Sequence, residues 1–344
     1  MDNRITAILC ALLAAVFYAV NTPVSKLLLI RIQPTFMAAL LYLGAGIGVG
    51  LMSLLNKKRE RAEKLSKKDL PYTVGMILLD IAAPILLMTG IQIGSSSNAS
   101  LLGNFEIVAT TLIALYIFRE TVSGQLWIAI LLIALSSAIL SFEGVGSLQF
   151  SVGSLFVIGA TLCWGLENNC TRKISGKSAY EIVILKGLFS GGGSLAIAFL
   201  TGESFPQFSD ALCALALGFV SYGLSIFLYI RAQRTIGAAK TSAYYAVAPF
   251  VGVILSFAFL GETLTRRFLF ALCVMLIGTV FVILDTLRQR HTHSHTHTFS
   301  HIYNGTARND TIVHTHPHNH YTRGDIHRHY HSVEELEAEF LSQH

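Results

Sequence analysis

Ten stretches of about 20 mostly apolar residues follow one another along the first 286 positions. A helix of about 20 residues crosses the roughly 30 Å hydrocarbon core of a bilayer. Only 13% of the residues are charged, about half the share in soluble domains. The sequence therefore predicts an all-α membrane protein with ten transmembrane helices. We call them spans one to ten and place them at 5–29, 35–55, 71–93, 99–118, 125–142, 152–172, 181–200, 211–230, 241–260 and 266–286.

Lysine and arginine are divided unequally between the two sets of loops that connect these spans. If the N-terminus is cytoplasmic, the cytoplasmic loops hold 14 Lys and Arg residues and the opposite loops hold 3. Because such residues accumulate on the cytoplasmic side, we expect both termini in the cytoplasm and the chain in the plasma (bacterial inner) membrane. The net charge of +5 is explained by these loops. We therefore expect membrane lipid as a partner and no nucleic acid.

The chain also repeats itself. An apolar helix ends at a Glu-Thr pair twice, at Glu120-Thr121 and at Glu262-Thr263, which are 142 positions apart, and Ser100 falls on Ser242 at the same offset. Each half holds five spans, an odd number, so the two halves cross the membrane in opposite directions. Inverted repeats of this kind are typical of secondary transporters, which alternate access around a site at mid-membrane. We expect two five-helix repeats, at 1–145 and 146–290, and a soluble tail at 291–344.

The two Glu-Thr helix exits, the five-plus-five layout and the segment WGLENN (164–169) resemble permeases of the EamA type in the drug/metabolite transporter superfamily. The resemblance covers about residues 5–287. It implies a transporter fold and leaves the substrate open, because related permeases move very different metabolites. A proline common in the family is present in the second repeat as Pro249, whereas the first repeat has Ile107 there, directly after Glu106. Asn104 to Thr110 and Glu167 to Ser175 also resemble a subgroup with a His-rich tail.

Ionisable groups inside the predicted spans are the strongest candidates for transport. A carboxylate in the membrane costs several kcal/mol unless it faces a cavity or a partner, and burial favours its protonated form. We expect Glu106 and Glu167 to exchange protons or to bind a cation, with Asp80 as a further candidate. Each is weighed against a structural role as a hydrogen-bonded contact between helices. The polar and aromatic residues expected to orient a substrate are Asn21, Asn104, Asn168 and Tyr245.

Other features of the membrane part favour structural roles. Glu120 and Glu262 lie at helix exits, where we expect them to anchor the following turn. Four glycines of span two form two overlapping G-x-x-x-G spacings, a pattern typical of closely packed membrane helices. Residues 1–290 contain no histidine, so no Ser/His/Asp or Cys/His set can form there, and we expect no enzyme activity. The four glycines are Gly44, Gly46, Gly48 and Gly50.

All 13 histidines lie in the tail. Several imidazoles within a few residues can bind one Zn, Ni, Co or Cu ion in a flexible chain. The low-complexity composition predicts a mostly disordered tail that binds such a metal, while no cofactor is required for transport. The alternating runs are His291, His293, His295 and His297, then His314, His316, His318 and His320, then His327, His329 and His331.

Three functions remain open at this point. The first is a secondary active transporter for a small metabolite such as an amino acid or amine. The second is a divalent-metal (Ni, Co or Zn) permease whose tail collects the ion. The third is a metal-responsive membrane sensor that transports nothing. The sequence is compatible with a monomer or a homodimer, because one chain carries both halves.

Overall fold

The computed structural model describes residues 3–55, 65–118, 123–144, 147–174, 177–236, 241, 244–287, 289–303 and 306–320. It divides into two compact units, Met1–Asp285 and Thr286–His344, which are described separately below. The helices are α1 Asn3–Ala19, α2 Asn21–Leu28, α3 Pro34–Leu55, α4 Leu70–Ile93, α5 Ser96–Leu102, α6 Phe105–Phe118, α7 Gly124–Ser141, α8 Val152–Ile174, α9 Ala179–Leu185, α10 Gly191–Leu200, α11 Phe208–Gly218, α12 Ser225–Ile236, α13 Ala248–Leu260 and α14 Arg266–Leu287.

The first unit is helical apart from a short antiparallel pair of strands, β1 Phe142–Gly144 and β2 Ser147–Phe150, between the two halves. Each of the ten predicted spans falls on helical residues of the described chain. Spans one to five, seven, eight and ten correspond to eight helical segments that are long and apolar enough to cross a membrane. Span nine contains α13, which is apolar but only 13 residues long. Span six corresponds to α8, which has 23 residues and carries polar side chains in its second half. The predicted all-α membrane fold is confirmed.

Span four is interrupted in its first third, and span nine is interrupted at the equivalent place. The first interruption separates α5 from α6 at Gly103-Asn104, and the second precedes α13 at Ala246-Val247. With the repeat offset of 142, Asn104 corresponds to Ala246. Pro249 lies in the first turn of α13, where its missing N–H costs no hydrogen bond. The first half is thus broken without a proline, and discontinuous helices at matching positions are how transporters with inverted repeats build their binding sites.

Glycines bring span two into backbone contact with spans seven and eight. A Cβ atom on Gly44 would lie 2.1 Å from the carbonyl oxygen of Leu215, and one on Gly187 would lie 2.4 Å from the Cα atom of Gly46. A Cβ atom on Gly48 would lie 2.0 Å from the ring of Phe219. Close packing is therefore present at three of the four glycines predicted for it. Gly50 is the exception, because no atom lies within 4 Å of its Cβ position.

We expect opposite effects from alanine at Gly44 and at Gly50. Gly44→Ala forces the backbones of α3 and α11 apart, and overpacking of this kind lowers the free energy of unfolding by about 1–3 kcal/mol. Gly50→Ala meets open space and gains about 0.5–1 kcal/mol, because alanine favours the helix over glycine. Thermal unfolding of the two purified variants in the same detergent measures the difference. Equal stability of the two variants would show that the close approach of span two is not needed.

The second unit contains an antiparallel hairpin of two strands, β3 Gln289–Tyr303 and β4 Thr306–His320. This differs from the mostly disordered tail that the sequence predicts. The alternation of Thr or Ser with His gives this segment the two-residue period of a strand, and the sequence between the strands is Asn304-Gly305, a pair typical of two-residue hairpin turns. Residues 321–344 lie outside the described part of the chain.

Candidate functional site

A buried cluster of charges lies in the membrane part, where spans three, six and seven meet. The Nζ atom of Lys186 lies 3.1 Å from Oδ2 of Asp80 and 3.0 Å from Oε1 of Glu167. The side chains of Asp80 and Glu167 are 0% and 3% exposed. The hydroxyl of Tyr42 donates to Oδ1 of Asp80 at 2.9 Å, and the hydroxyl of Thr171 donates to Glu167. One ammonium group thus bridges two carboxylates that belong to different halves of the repeat.

The backbone of span seven brings Lys186 to this position. Residues Lys186–Ser190 form a π-helical turn between α9 and α10, and such turns occur often at functional sites. The hydroxyl of Ser190 donates to the carbonyl oxygen of Ile77 at 3.2 Å, which joins this turn to span three. The contact between Gly187 and Gly46 presses the same turn against span two. The backbone at Lys186 is therefore fixed by contacts with both span two and span three.

Glu106 lies beside this cluster in the first turn of α6, just after the break in span four. The amide nitrogen of Asn168 donates to its Oε1 atom at 2.6 Å and to the hydroxyl of Thr110 at 3.3 Å. Glu106 also interacts electrostatically with Glu167 and Lys186. Glu106 is partly buried. In the part of the chain that the structure describes, no cationic side chain forms an ion pair with it.

Tyrosine rings form a wall near these charges. Tyr222 stacks against Tyr42 with ring centroids 5.2 Å apart and meets the edge of Tyr18 at 6.0 Å. Tyr245 lies 5.9 Å from Tyr18. Tyr18, Tyr222 and Tyr245 all lie within electrostatic range of Glu106. A carboxylate that forms no ion pair, with several aromatic rings in its surroundings, is a suitable environment for an organic cation, because the faces of aromatic rings attract positive charge.

The predicted asparagines differ in their surroundings. The amide nitrogen of Asn21 donates to the hydroxyl of Tyr222 at 3.2 Å, and its oxygen accepts from Ser25 at 3.0 Å. Asn21 therefore links span one to the tyrosine wall. Asn104, at the break in span four, is 2% exposed and its amide nitrogen has no hydrogen-bond partner. An unsatisfied buried donor is costly, so an acceptor that the protein itself does not supply would stabilise this nitrogen.

Glu262 follows span nine in the chain, and its side chain contacts the start of span four. Its carboxylate accepts from the backbone N–H groups of Ser96 and Ser97 at 2.8 and 3.0 Å and from the hydroxyl of Ser95 at 2.9 Å. These N–H groups belong to the first turn of α5, where a negative charge is favourable. Lys26 holds the other side of the same turn by donating to three carbonyl oxygens between Ile91 and Gly94 at 2.6–2.9 Å. Glu262 thus holds the turn between α4 and α5, whereas the sequence predicts that it anchors the turn directly after it. Glu120 lies outside the described residues.

We expect the contribution of Glu262 to stability to disappear in acid. Half-burial raises the pKa of Glu262, but the hydrogen bonds from Ser97, Ser95 and Ser96 outweigh this effect and leave the pKa below its ordinary value. A carboxyl group whose pKa is lowered by folding stabilises the protein above its ordinary pKa and stops doing so as the pH falls through the lowered value. At pH 7 Glu262→Gln should cost about 1.5–3 kcal/mol, the usual loss for a hydrogen bond to a charged group.

The measurement is thermal unfolding of the wild type and of Glu262→Gln between pH 7 and pH 3. The two curves should converge at the acid end of this range. A difference that stays constant down to pH 3 would mean that the charge of Glu262 is not what stabilises the turn.

The structure brings together most of the residues chosen from the sequence. Asp80 and Glu167 meet through Lys186, Glu106 meets Asn168, and Asn21 meets the tyrosine wall. Tyr245 lies 3.3 Å from the hydroxyl of Ser225 and against Tyr18. Lys186 is not among the residues predicted from the sequence. It nevertheless lies inside span seven and has the feature that selected Asp80, an ionisable side chain within an apolar stretch.

The pairing of β3 with β4 determines which histidines of the tail are neighbours. His291, His293 and His295 of β3 are paired with His318, His316 and His314 of β4. Because alternate residues of a strand lie on the same face, the first two histidine runs share one face of the hairpin. The third run, from His327 to His331, lies outside the described residues.

Comparison with known proteins gives a consistent result. The model of the EamA-like transporter family matches residues 5–142 and again residues 151–284. A protein of Methanothermobacter thermautotrophicus described as an uncharacterized transporter is 26% identical over 300 residues, which covers 82% of this chain and 87% of the relative. The uncharacterized transporter YyaM of Bacillus subtilis is 23% identical, over 71% of this chain and 80% of the relative.

A solved crystal structure shares the fold, with a TM-score of 0.61 at 15% identity over 81% of this chain and 96% of the other. The family model matches both halves of the membrane part, which agrees with the inverted repeat and with the matching helix breaks. The protein is therefore a multi-pass membrane transporter that belongs to the EamA-like transporter family.

Proposed function

We propose that this transporter moves a small metabolite, such as an amino acid or amine, by alternating access and in exchange for protons. The observation that carries the proposal is the charge cluster of Asp80, Glu106, Glu167 and Lys186, which lies inside the membrane part and draws on both halves. Buried charges within a membrane are expensive and usually mark the path of a substrate or ion. The helix breaks at Asn104 and Ala246 lie in the two spans where an inverted repeat would place a binding site.

The number of charges in the cluster supports coupling to protons. Three carboxylates face one ammonium group, so the cluster lacks up to two positive charges when all four groups are ionised. Uncompensated charge in a low-dielectric interior costs several kcal/mol per ion. A proton on one carboxylate, or a protonated amine beside Glu106, would remove this cost. Because both cations compensate the same negative charge, binding of one weakens binding of the other, and this competition produces exchange.

The division of Lys and Arg between the loops supports an orientation with both termini in the cytoplasm. In that orientation the turn held by Lys26 and Glu262 lies on the extracellular side, and the tail lies inside the cell. Either a monomer or a homodimer would serve, because the charged groups of the cluster all come from one chain.

A screen for the substrate tests the proposal. Metabolite and metal contents are compared between a strain that lacks the gene and one that overexpresses it, and the compounds that change are then tested in proteoliposomes with the purified protein. An imposed pH gradient should drive the flux of at least one amine or amino acid, and dissipating the gradient should stop it. Flux that ignores the pH gradient would contradict proton exchange, and flux of anionic compounds alone would contradict the substrate class.

A divalent-metal permease is the second candidate, and the paired histidines of the tail hairpin are the observation that favours it. Zn, Ni or Co would bind to the tail, which would deliver the ion to the membrane part. The same screen decides this by including a strain whose transporter lacks residues 291–344. Altered cellular Ni, Co or Zn would support the metal permease. A tail that binds metal while these contents stay constant would fit a sensing role instead.

A further inference from the structure

The ammonium group of Lys186 occupies the place where a bound cation would lie in an acidic membrane site. It is within 3.1 Å of an oxygen of Asp80 and within 3.0 Å of an oxygen of Glu167. Both carboxylates are almost completely excluded from solvent. Hydroxyl groups of Tyr42 and Thr171 complete their surroundings. Apart from being covalently attached, Lys186 is therefore bound as a cationic ligand would be.

A site with this set of carboxylates could in principle take a divalent metal ion. Mg²⁺ and similar ions are commonly bound by one or two carboxylates together with water, and Mn²⁺ also prefers oxygen ligands. A dication would supply the two positive charges that the cluster lacks. Among the described residues, however, no group of three His, Cys, Asp or Glu side chains is arranged to hold a metal. What stands between Asp80 and Glu167 is the ammonium group.

We propose that Lys186 is a tethered cation that excludes divalent metal ions from the position between Asp80 and Glu167. A metal ion would need to contact the carboxylate oxygens directly, at about 2.0–2.6 Å, and Lys186 occupies that position. The ammonium group also repels an approaching dication more strongly than a singly charged one, since the Coulomb energy scales with charge. Lys186 thus determines the specificity of the site.

The position that remains for a substrate is beside Glu106. Glu106 forms no ion pair among the described residues, and Tyr18, Tyr222 and Tyr245 lie within electrostatic range of its charge. A protonated amine there would form an ion pair with the carboxylate and contact the ring faces. This step rests on the proposed transport function, whereas the exclusion of metal by Lys186 does not depend on it.

The test is a gain of metal binding by the full-length chain. Lys186→Gln removes the tethered charge and leaves Asp80 and Glu167 in place, so it should bind Mn²⁺ about 100-fold more tightly than the wild type does. Because a ligand that binds only the folded state stabilises it, Mn²⁺ should raise the unfolding temperature of this variant and not that of the wild type. Lys68→Gln, which removes an exposed lysine outside the cluster, is the matched control and should behave as the wild type does.

A second substitution distinguishes this site from the tail. The double variant Lys186→Gln with Asp80→Asn keeps every histidine but loses one of the two carboxylate ligands, so it should lose the Mn²⁺ effect. An equal Mn²⁺ effect in wild type and Lys186→Gln would overturn the proposal, as would an effect that survives Asp80→Asn. Failure of Lys186→Gln to fold even when expressed and purified with Mn²⁺ would also contradict it, because the metal is expected to replace the missing charge.

A measurement on the wild type needs no change at Lys186. Mn²⁺ should leave the flux of the amine unchanged in proteoliposomes, and inhibition that persists in a protein lacking residues 291–344 would overturn the proposal. The experiments test the role of Lys186 and the transported substrate separately. If Lys186→Gln gains the Mn²⁺ site but no amine is transported, the exclusion role stands and the substrate class is wrong. If an amine is transported but no metal site appears, the transport function stands and the role of Lys186 is wrong.

Discussion

Glu106→Gln should abolish the response of transport to a pH gradient while leaving the protein folded. Glu106 is the carboxylate of the cluster that forms no ion pair among the described residues, and the neutral amide of Asn168 donates a hydrogen bond to its Oε1 atom. Glutamine keeps the shape and an oxygen that Asn168 can reach, but it neither binds a proton nor pairs with an amine. Loss of a hydrogen bond to a charged group costs about 1.5–3 kcal/mol, which corresponds to roughly a 10- to 100-fold weaker affinity for the amine.

The experiment compares initial rates in proteoliposomes with and without a pH gradient. In the wild type the gradient should accelerate amine flux, and in Glu106→Gln the two rates should be equal and low. Glu203→Gln is the control, because Glu203 is also a hydrogen-bonded carboxylate but accepts from the backbone of Thr35 and Phe36 at the start of span two. An undiminished response in Glu106→Gln would assign proton exchange to another group.

The fold was largely predictable because the bilayer imposes strong requirements on a sequence. A span must be about 20 residues long and mostly apolar, so the positions of the helices follow from hydropathy. The Glu-Thr pairs at 120 and 262 then revealed the repeat. The break in span four was less evident, since no proline marks it. The break in span four is formed by Gly103-Asn104 alone. It becomes recognisable by comparison with the equivalent break before Pro249 in the second repeat.

The three carboxylates of the candidate site could be selected from the sequence, but Lys186 and the pairing of the charges were not predicted. The sequence indicated Asp80, Glu106 and Glu167 because charge in a membrane requires a reason. Which carboxylate faces which partner depends on the rotation of each helix and on the π-helical turn that begins at Lys186, and a list of spans contains neither. The tail illustrates a different case, because its low-complexity composition predicts disorder although the alternation of Thr or Ser with His has the two-residue period of a strand.

Lys186→Met should destabilise the protein far more than Asp80→Asn does. Removing Lys186 leaves two carboxylates facing each other in the interior of the membrane part, and an uncompensated buried charge costs about 3–5 kcal/mol. Asp80→Asn leaves Lys186 and Glu167 as a charge-balanced pair, and the asparagine oxygen can still accept from Tyr42, so we expect a loss of about 1 kcal/mol, that of one hydrogen bond. Glu167→Gln should behave in the same way, because Asp80 then pairs with Lys186.

The triple variant Lys186→Met, Asp80→Asn, Glu167→Gln completes the series, because it contains no charge in this part of the cluster. Neutral replacement of a buried ion cluster is often tolerated well, so the triple variant should be more stable than Lys186→Met alone, although it carries two more substitutions. Thermal unfolding in one detergent at pH 7 compares all four variants with the wild type. The order of stabilities separates two explanations. If the loss followed the number of hydrogen bonds removed, the triple variant would be the least stable. Since the net charge left in the interior should dominate, we expect Lys186→Met to be the least stable.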